Sequence, residues 1–390
     1  QPMLTLRPYQ TECLEAITQA HREGKNRLLV SLPTGTGKTV VFAHLPRCLS
    51  LSSKKMLVLA HREELLEQAA EKIRAANPGA RVEIEQSERR ANPGADVIVA
   101  SVPSIGREGS QRIARLNPSD FGLIIADEAH HAIAPTWRNI FDHFGLPENK
   151  GVLLVGFTAT PRRGDGVGLE EAFDEIVYHR DIKEMIQAGY LCTITGYRVH
   201  TQTDLSKVHS RMGDFVQEEL SEAVNQASRN ARVVKSYLDR VPGKKAIVFA
   251  VNVQHAQDLA GLFQEVSIPC AAVTGEMDRE VRREILGNFR EGSIRVLTSC
   301  MILTEGFDQP DIEAILLARP TQSSLLYTQM VGRGTRLAPG KERLTVIDIV
   351  DNSRRHSLMS LASLFGLPAN LDLKGRDVLE ADSEIEEACE

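Results

Sequence analysis

The sequence predicts an α/β protein of two tandem domains, each built on a mainly parallel sheet flanked by helices. Short runs of apolar and β-branched residues alternate with segments of helical periodicity, which is typical of βαβ units. This alternation runs through the first half of the chain and restarts after Lys244. A chain of 390 residues is long enough for two domains with separate cores.

In the first half, the apolar runs predict strands at 28–32, 56–60, 96–100, 123–126 and 152–157, with helices at 11–23 and 63–76. In the second half they predict strands at 246–251, 271–274, 295–299, 314–318 and 344–349, with helices at 255–266, 282–290 and 324–331. We therefore expect a first domain over 1–192, a second over 193–352, and a C-terminal extension over 353–390. The polar segment 201–225 favours a surface loop and helix over a nucleic-acid contact, and the acidic end 380–390 favours disorder or a cut end.

Composition places few restrictions on function. The chain is 42% hydrophobic and carries a formal net charge of −6, which argues against a basic surface that coats nucleic acid, so any such binding must be local. The apolar run 152–159 is far shorter than the roughly 18 residues that cross a bilayer, and no signal peptide is visible. Six scattered cysteines without a C-x-x-C pair predict reduced thiols and a cytoplasmic protein.

A glycine-rich loop lies between the first predicted strand and a helix. Gly35 and Gly37 let the backbone approach phosphates, Lys38 can bridge the β- and γ-phosphates, and Thr39 offers a hydroxyl to Mg²⁺. Leu32 occupies the first glycine position of the common G-x-x-x-x-G-K-[ST] pattern, so the loop follows the variant P-T-G-T-G-K-T. The predicted phosphate-binding residues are Pro33, Thr34, Gly35, Thr36, Gly37, Lys38 and Thr39. The alternative is a glycine turn without a ligand.

Two adjacent carboxylates follow the buried run 123–126. Asp127 and Glu128 are therefore expected at the carboxyl edge of a parallel sheet, where ligands bind. Asp127 would hold Mg²⁺ through water, and Glu128 would orient and deprotonate the attacking water. Alone, the pair would be read as surface acids; the loop at the same edge favours a catalytic site.

Far downstream, the segment 329–336 reads Q-M-V-G-R-G-T-R. Arg333 and Arg336 are three residues apart, so they share one face if the segment is helical. Arginines stabilise the charge that builds on a transferring phosphoryl group. The alternative is a pair of surface arginines on a helix.

Together these motifs resemble motifs I, II and VI of the superfamily 2 helicases, and the remaining motifs follow in order over residues 4–352. The resemblance to the adenine-reading motif lies at residues 6–10, to motif Ia at 60–63, to motif Ib or Ic at 100–102, to motif III at 158–161, to motif IV at 248–250 and to motif V at 304–308. The L-R-P-Y-Q opening and the D-E-A-H-H core resemble the branch of RadD-like, XPB-like and restriction-enzyme ATPases.

The resemblance implies two RecA-like domains with ATP and Mg²⁺ in the cleft between them. It implies that Arg7 and Gln10 contact adenine, although Gln10 has the alternative of capping the helix that begins near Pro8. Gln329 would help to place the water, while Gly306 and Asp308 would touch the nucleotide. Coupling of the sites would fall to His130, Thr158 and Thr160, and nucleic acid would lie near Arg62, Ser101, Thr274 and Thr298. Each of these last four has the alternative of a solvated loop residue.

The expected function is an ATP-driven motor on nucleic acid, a monomeric core whose favoured track is DNA by resemblance. One alternative is an RNA-activated ATPase of the same superfamily. A second is a nucleotide-binding interaction module without activity, and a third is a P-loop kinase or GTPase. The third would not account for the second α/β domain.

Overall fold

The computed structural model describes residues 5–51, 53–159, 169–300, 309–353, 356 and 358–389. The chain forms two compact units, residues 1–182 and 183–390. The division therefore lies at 182/183, whereas the sequence places the domain boundary at 192/193. The predicted C-terminal extension is part of the second unit.

The first unit is built on a parallel sheet with strand order β3-β4-β2-β5-β6-β1-β7. Its strands are β1 (Arg27–Ser31), β2 (Lys55–Ala60), β3 (Val82–Glu85), β4 (Val97–Ser101), β5 (Phe121–Asp127), β6 (Leu153–Thr158) and β7 (Glu175–His179). Its helices are α1 (Pro8–Arg22), α2 (Lys38–Cys48), α3 (Glu63–Ala76), α4 (Val102–Ile105) and α5 (Pro135–His143). Short 3₁₀ turns occupy Ile113–Arg115, Pro118–Asp120 and Ala129–His131.

The second unit is built on a parallel sheet with strand order β12-β13-β11-β14-β15-β8. Its strands are β8 (Ile194–Asp204), β11 (Ala246–Phe249), β12 (Cys270–Val273), β13 (Val296–Ser299), β14 (Ala314–Leu317) and β15 (Leu344–Asn352), and an antiparallel hairpin joins β9 (Ser210–Arg211) to β10 (Asp214–Phe215). Its helices are α6 (Ile182–Gln187), which begins at the division, α7 (Gln217–Val224), α8 (Ala227–Arg240), α9 (Val253–Glu265), α10 (Arg279–Glu291), α11 (Ser324–Gly332), α12 (Leu361–Leu364) and α13 (Val378–Cys389). The predicted fold class is confirmed.

Burial explains why the strand predictions succeed. Every residue of β5 and β6 is buried, because helices cover both faces of the sheet, and such strands read as continuous apolar runs. Around the first sheet the core includes Trp137 and Phe144, and around the second it includes Tyr237 and Phe263. Among the described residues, we find no helix with the length and apolarity to cross a bilayer.

The acidic end of the chain is helical in the structure, where the sequence favoured disorder. Val378 and Ala381 are buried on one face of α13. Asp382 is also buried, and it accepts a hydrogen bond from the ammonium group of Lys183. The composition of the segment does not reveal this buried face, because its apolar residues are few and are separated by acids.

Candidate functional site

The glycine-rich loop connects β1 to α2 at the carboxyl edge of the first sheet. Gly35 (φ 85°) and Gly37 (φ 77°) adopt left-handed backbone conformations that glycine takes without strain. Gly37 directly precedes α2, which begins at Lys38. The N–H groups of the first turn of α2 therefore adjoin the loop, which is the arrangement that binds anions.

Contacts within the loop fix its curvature. The Lys38 Nζ atom donates to the carbonyl of Leu32 at 3.3 Å, and the Thr36 hydroxyl donates to the carbonyl of Pro33 at 2.6 Å. The Leu32 amide donates to the carbonyl of Thr158 at 3.0 Å, so the loop is also tied to the end of β6. The loop thus has a defined shape in this structure, and the ammonium group of Lys38 lies over it.

Helix α1 holds the loop from outside. The Gln10 Oε1 atom accepts from the backbone N–H of Arg7 at 2.8 Å, and its Nε2 atom donates to the carbonyl of Thr36 at 3.1 Å. The Tyr9 hydroxyl donates to the same Thr36 carbonyl. A Cβ atom at position 37 would lie 2.6 Å from Gln10 Nε2. Gln10 therefore caps α1, which is the alternative that the sequence offered to adenine contact, and it also positions the loop. The sequence did not single out Tyr9.

The two predicted carboxylates lie where β5 ends. Asp127 is paired in register with Phe157, and Ser31 is paired with Thr158, so β5, β6 and β1 end side by side. Asp127 is buried and its Oδ1 atom accepts from the Glu128 amide at 3.0 Å. Glu128 has φ 54°, a left-handed conformation that is uncommon for a residue other than glycine. Strained backbone of this kind is concentrated at functional sites.

A buried polar contact connects Glu128 to the end of β6. The Nδ1 atom of His130 lies 3.3 Å from the Thr158 hydroxyl and 3.5 Å from Glu128 Oε2. His130 and Thr158 are almost fully buried, and the ring of His130 packs on that of His131 with a centroid distance of 4.2 Å. The structure thus brings together two of the three predicted coupling residues. Thr160 lies outside the described residues.

The oxygen atoms at this edge suit a hard divalent cation. Thr39 lies in the first turn of α2, and the buried carboxylate of Asp127 ends the second strand away from β1. Hydroxyl and carboxylate oxygens are the ligands that Mg²⁺ prefers, together with water and phosphate oxygens. The residues present therefore fit a nucleotide with Mg²⁺ bound to its phosphates.

In the second unit, the segment with the two arginines is only partly helical. Gln329 is buried in α11, which ends at Gly332, and Arg333 follows as the C-cap residue. The Nε atom of Arg333 donates to the Gln329 carbonyl at 3.3 Å. Arg336 lies beyond the helix, so the shared helical face that the spacing suggested does not exist. Gly306 and Asp308 lie outside the described residues.

The four residues predicted to contact nucleic acid differ in exposure. Arg62 is partly exposed and directly precedes α3, whereas Ser101 at the end of β4 and Thr274 after β12 are buried. Thr298 is fully buried in β13, and its hydroxyl donates to the Ala256 carbonyl of α9 at 2.6 Å. This inward hydrogen bond disfavours Thr298 as a contact, while Arg62, Ser101 and Thr274 stay predictions.

Comparison with known families identifies two domains. Residues 3–163 match the type III restriction enzyme, res subunit family, and residues 228–338 match the helicase conserved C-terminal domain. The first match covers the glycine-rich loop and the paired carboxylates, and the second ends two residues after Arg336.

Individual proteins extend the match over most of the chain. A Schizosaccharomyces pombe protein named as a candidate mitochondrial ATP-dependent helicase, irc3, is 39% identical over 93% of this chain, which spans 60% of that relative's length. The DNA 3'-5' translocase XPB2 of Sulfurisphaera tokodaii is 25% identical over 89% of this chain and 82% of its own length. The structure of a fragment of a candidate HsdR subunit of a type I restriction enzyme from Vibrio vulnificus YJ016 superposes with a TM-score of 0.68 at 26% identity, covering 89% of this chain and 65% of that one.

Proposed function

This chain belongs to superfamily 2 of the helicases, and from that premise we propose that it is the ATP-hydrolysing core of a motor that moves on nucleic acid. The observation that carries the proposal is the joint placement of the glycine-rich loop and the Asp127-Glu128 pair at one edge of one sheet. A phosphate-binding loop, a carboxylate that holds Mg²⁺ and a residue that positions the attacking water recur in enzymes that hydrolyse nucleoside triphosphates.

We assign a separate role in ATP hydrolysis to each group of predicted site residues in the first unit. Residues 33–39 bind the phosphates through backbone N–H groups and the Lys38 ammonium group. Thr39 and Asp127 hold Mg²⁺, which when bound neutralises charge on the phosphate oxygens. Glu128 orients the attacking water and takes its proton. The contact between His130 and Thr158 links the position of Glu128 to the end of β6.

The roles that we assign to the second unit centre on its two arginines. Arg333 and Arg336 stabilise the charge on the transferring phosphoryl group, and Gln329 helps to place the water. Gly306 and Asp308 touch the nucleotide. Support comes from the pattern Q-x-x-G-R-x-x-R and from the buried position of Gln329 in α11, which fixes that end of the segment.

We propose DNA as the track, contacted through Arg62, Ser101 and Thr274. The XPB2 relative is named as a DNA translocase. The family that matches residues 3–163 and the similar HsdR structure are both of restriction enzymes. The RNA-activated alternative differs in track but not in the ATP site, so the choice of nucleic acid is the variable to measure.

We also propose a monomeric core in a reducing compartment. Among the described cysteines, Cys13, Cys48, Cys192, Cys270 and Cys300 are free thiols, as expected where disulfides do not form. The compartment is either the cytoplasm or an organelle, and the fission-yeast relative carries the word mitochondrial in its name.

The test measures the steady-state rate of ATP hydrolysis with single-stranded, duplex and forked DNA and with matched RNA. We expect DNA to stimulate hydrolysis and the stimulation to fade as salt rises, because phosphate contacts are lost. A higher rate with RNA would favour the alternative track. A basal rate that no nucleic acid changes would contradict the motor.

A further inference from the structure

A lysine beyond the arginine segment folds back onto it. The Nζ atom of Lys341 donates to three backbone carbonyls: Gly334 at 2.6 Å, Arg336 at 2.7 Å and Pro310 at 3.2 Å. A lysine ammonium group has three N–H donors, so these bonds use its full capacity. The backbone N–H of the same residue donates to the Ala338 carbonyl at 3.1 Å, which closes the turn between the arginines and the lysine.

Three successive carbonyls of the arginine segment are bound. Lys341 binds those of Gly334 and Arg336, and the backbone N–H of Cys192 donates to the Thr335 carbonyl between them at 2.9 Å. The thiol of Cys192 also lies 3.5 Å from the Gly334 carbonyl. The peptide planes at 334–336 are therefore fixed in orientation, and with them the directions in which the flanking side chains leave the backbone.

Packing restricts the same segment from its other side. A Cβ atom at position 334 would lie 2.5 Å from Leu344 Cδ1 and 3.2 Å from Ile315 Cγ1. Only glycine allows the backbone to approach β14 and β15 this closely. The carbonyl bonds and this close approach together hold the segment between a lysine and the sheet.

A partly buried ammonium group is costly unless its donors have partners. Burial lowers the pKa of Lys341, which shows that the desolvation cost is the largest influence on this group. An apolar side chain of similar length would avoid that cost, but it would leave three carbonyls without these donors. The lysine is therefore better explained by what it orients than by stability alone.

We propose that Lys341 is a positioning residue for ATP hydrolysis, setting the orientation of Arg333 and Arg336 through the carbonyls of their own segment. The inference rests on the proposed role of the two arginines in the reaction. It also adds a connection to Pro310, so that the same ammonium group ties the segment to the chain that leads into β14.

The test compares Lys341→Met, which removes the donors, with Lys341→Arg, which keeps positive charge and N–H groups. We expect Lys341→Met to lower kcat by about 10- to 100-fold, the range that misplacement by about 1 Å can produce. The KM for ATP should change much less, because the phosphate-binding loop belongs to the first unit. Lys341→Arg should recover part of the lost kcat. An unchanged kcat in a folded Lys341→Met protein would overturn the inference.

Lys245 provides a matched control for stability. It is a lysine of the second unit that is more fully buried than Lys341, and its Nζ atom donates to the Arg290 carbonyl at 3.2 Å and to Asp311 at 2.8 Å. We expect Lys245→Met to lower the melting temperature without a selective fall in kcat. If both variants lower kcat in proportion to their melting temperatures, Lys341 has a structural role only.

A double-mutant cycle separates failure of this inference from failure of the proposed function. In the Arg333→Ala background and in the Arg336→Ala background, Lys341→Met should lower kcat by less than it does in the wild-type protein, since one of the two arginines is no longer there to be oriented. If neither arginine substitution changes kcat, the proposed role of the arginines is wrong. If both lower kcat and Lys341→Met adds its full effect to theirs, only the positioning role is wrong. If Lys341→Met does not fold, the same cycle is measured with Lys341→Arg. Full additivity of Lys341→Arg with the arginine substitutions would again contradict the positioning role.

Discussion

The glycine-rich loop of the first unit and the arginine segment of the second unit are held in place by opposite means. The loop depends on left-handed glycines and on two side chains of α1, Tyr9 and Gln10, which donate to one carbonyl. The arginine segment depends on Lys341, which donates to the carbonyls on either side of residue 335. The loop therefore presents backbone N–H groups at a helix terminus, and the segment presents side chains from a fixed backbone.

The difference has a chemical reason. Binding of phosphates needs several donors at close range, which a backbone supplies when no Cβ atom intervenes. Stabilisation of transition-state charge needs a guanidinium group in a definite place, which a fixed backbone supplies through one long side chain. Substitutions in the loop should therefore act mainly on binding of ATP, and those in the segment mainly on turnover.

The largest expected effect is on the arginines. Arg333→Ala and Arg336→Ala should each lower kcat by as much as about 10³-fold, the size attributed to an arginine that stabilises a transferring phosphoryl group. Steady-state ATP hydrolysis at saturating nucleic acid measures it. Arg343→Ala is the matched control, because Arg343 is an exposed arginine of the same unit that pairs with Glu342 at 3.5 Å. A fall in melting temperature with kcat preserved would make the arginines structural.

The next effect concerns Glu128, the proposed proton acceptor of the first unit. Glu128→Gln should lower kcat by about 10²-fold or more while ATP still binds, because the base is lost and the loop is intact. Titration with a fluorescent ATP analogue measures the binding. Lys38→Ala should instead weaken both binding and turnover. Glu148→Gln, at an exposed acid, serves as the control; wild-type turnover in Glu128→Gln would remove Glu128 from the reaction.

Substitution of one glycine in the loop and one in the arginine segment tests whether the two regions act on different kinetic constants. Gly37→Ala places a Cβ atom 2.6 Å from Gln10 Nε2 at a φ of 77°, and Gly334→Ala places one 2.5 Å from Leu344 Cδ1. Each should lower the free energy of unfolding by about 1–3 kcal/mol, through backbone strain in the first case and overpacking in the second. Gly37→Ala should also raise the KM for ATP, whereas Gly334→Ala should lower kcat.

A glycine in open space is the control for this pair. Gly287 lies in α10, and no atom would lie within 4 Å of a Cβ atom placed there. Gly287→Ala should therefore raise the free energy of unfolding by about 0.5–1 kcal/mol through helix propensity alone. If Gly37→Ala and Gly334→Ala change KM and kcat in the same way, the two regions do not divide binding from turnover.

Sequence patterns predicted the parts of the molecule that depend on local order. Strands buried on both faces read as apolar runs, and the glycine-rich loop and the Asp127-Glu128 pair follow such runs directly, so the fold class could be predicted. The strands β3, β7 and β8 were missed because polar residues interrupt their apolar runs, and β7 is also largely exposed. The helix predicted at 324–331 agrees with α11 to within one residue, and only the conditional extension of its face to Arg336 was wrong.

Contacts between residues distant in sequence were beyond prediction. Thr298 follows the pattern of a strand-end hydroxyl, yet its bond to Ala256 spans 42 positions. Lys341 follows a Pro-Gly turn and has the composition of a surface residue, although its ammonium group is bound to three carbonyls. The packing of α9 on β13 brings Thr298 to Ala256, and the turn at 338–341 brings Lys341 back to the arginine segment.

The smallest expected effect concerns Gln10, whose two polar atoms serve different partners. Gln10→Ala removes both bonds and should lower the free energy of unfolding by about 1–2 kcal/mol, at about 1 kcal/mol for each hydrogen bond. Gln10→Glu keeps an acceptor for the Arg7 amide but places a second oxygen near the Thr36 carbonyl. The Glu variant should therefore retain the cap of α1 and still raise the KM for ATP.

The choice of base provides a separate measurement on the same residue. A glutamine amide has a second N–H, which can donate to N7 of adenine, and a second lone pair, which can accept from the N6 amino group. Guanine presents the acceptor O6 in place of that amino group, so the lone pair finds no donor there. If Gln10 reads the base, Gln10→Ala should reduce the preference for ATP over GTP in kcat/KM by about 1–3 kcal/mol. If it only holds the loop, both nucleotides should suffer equally and their ratio should stay constant. Because the structure shows both polar atoms already engaged with protein, we expect the reduction to lie at the lower end of that range.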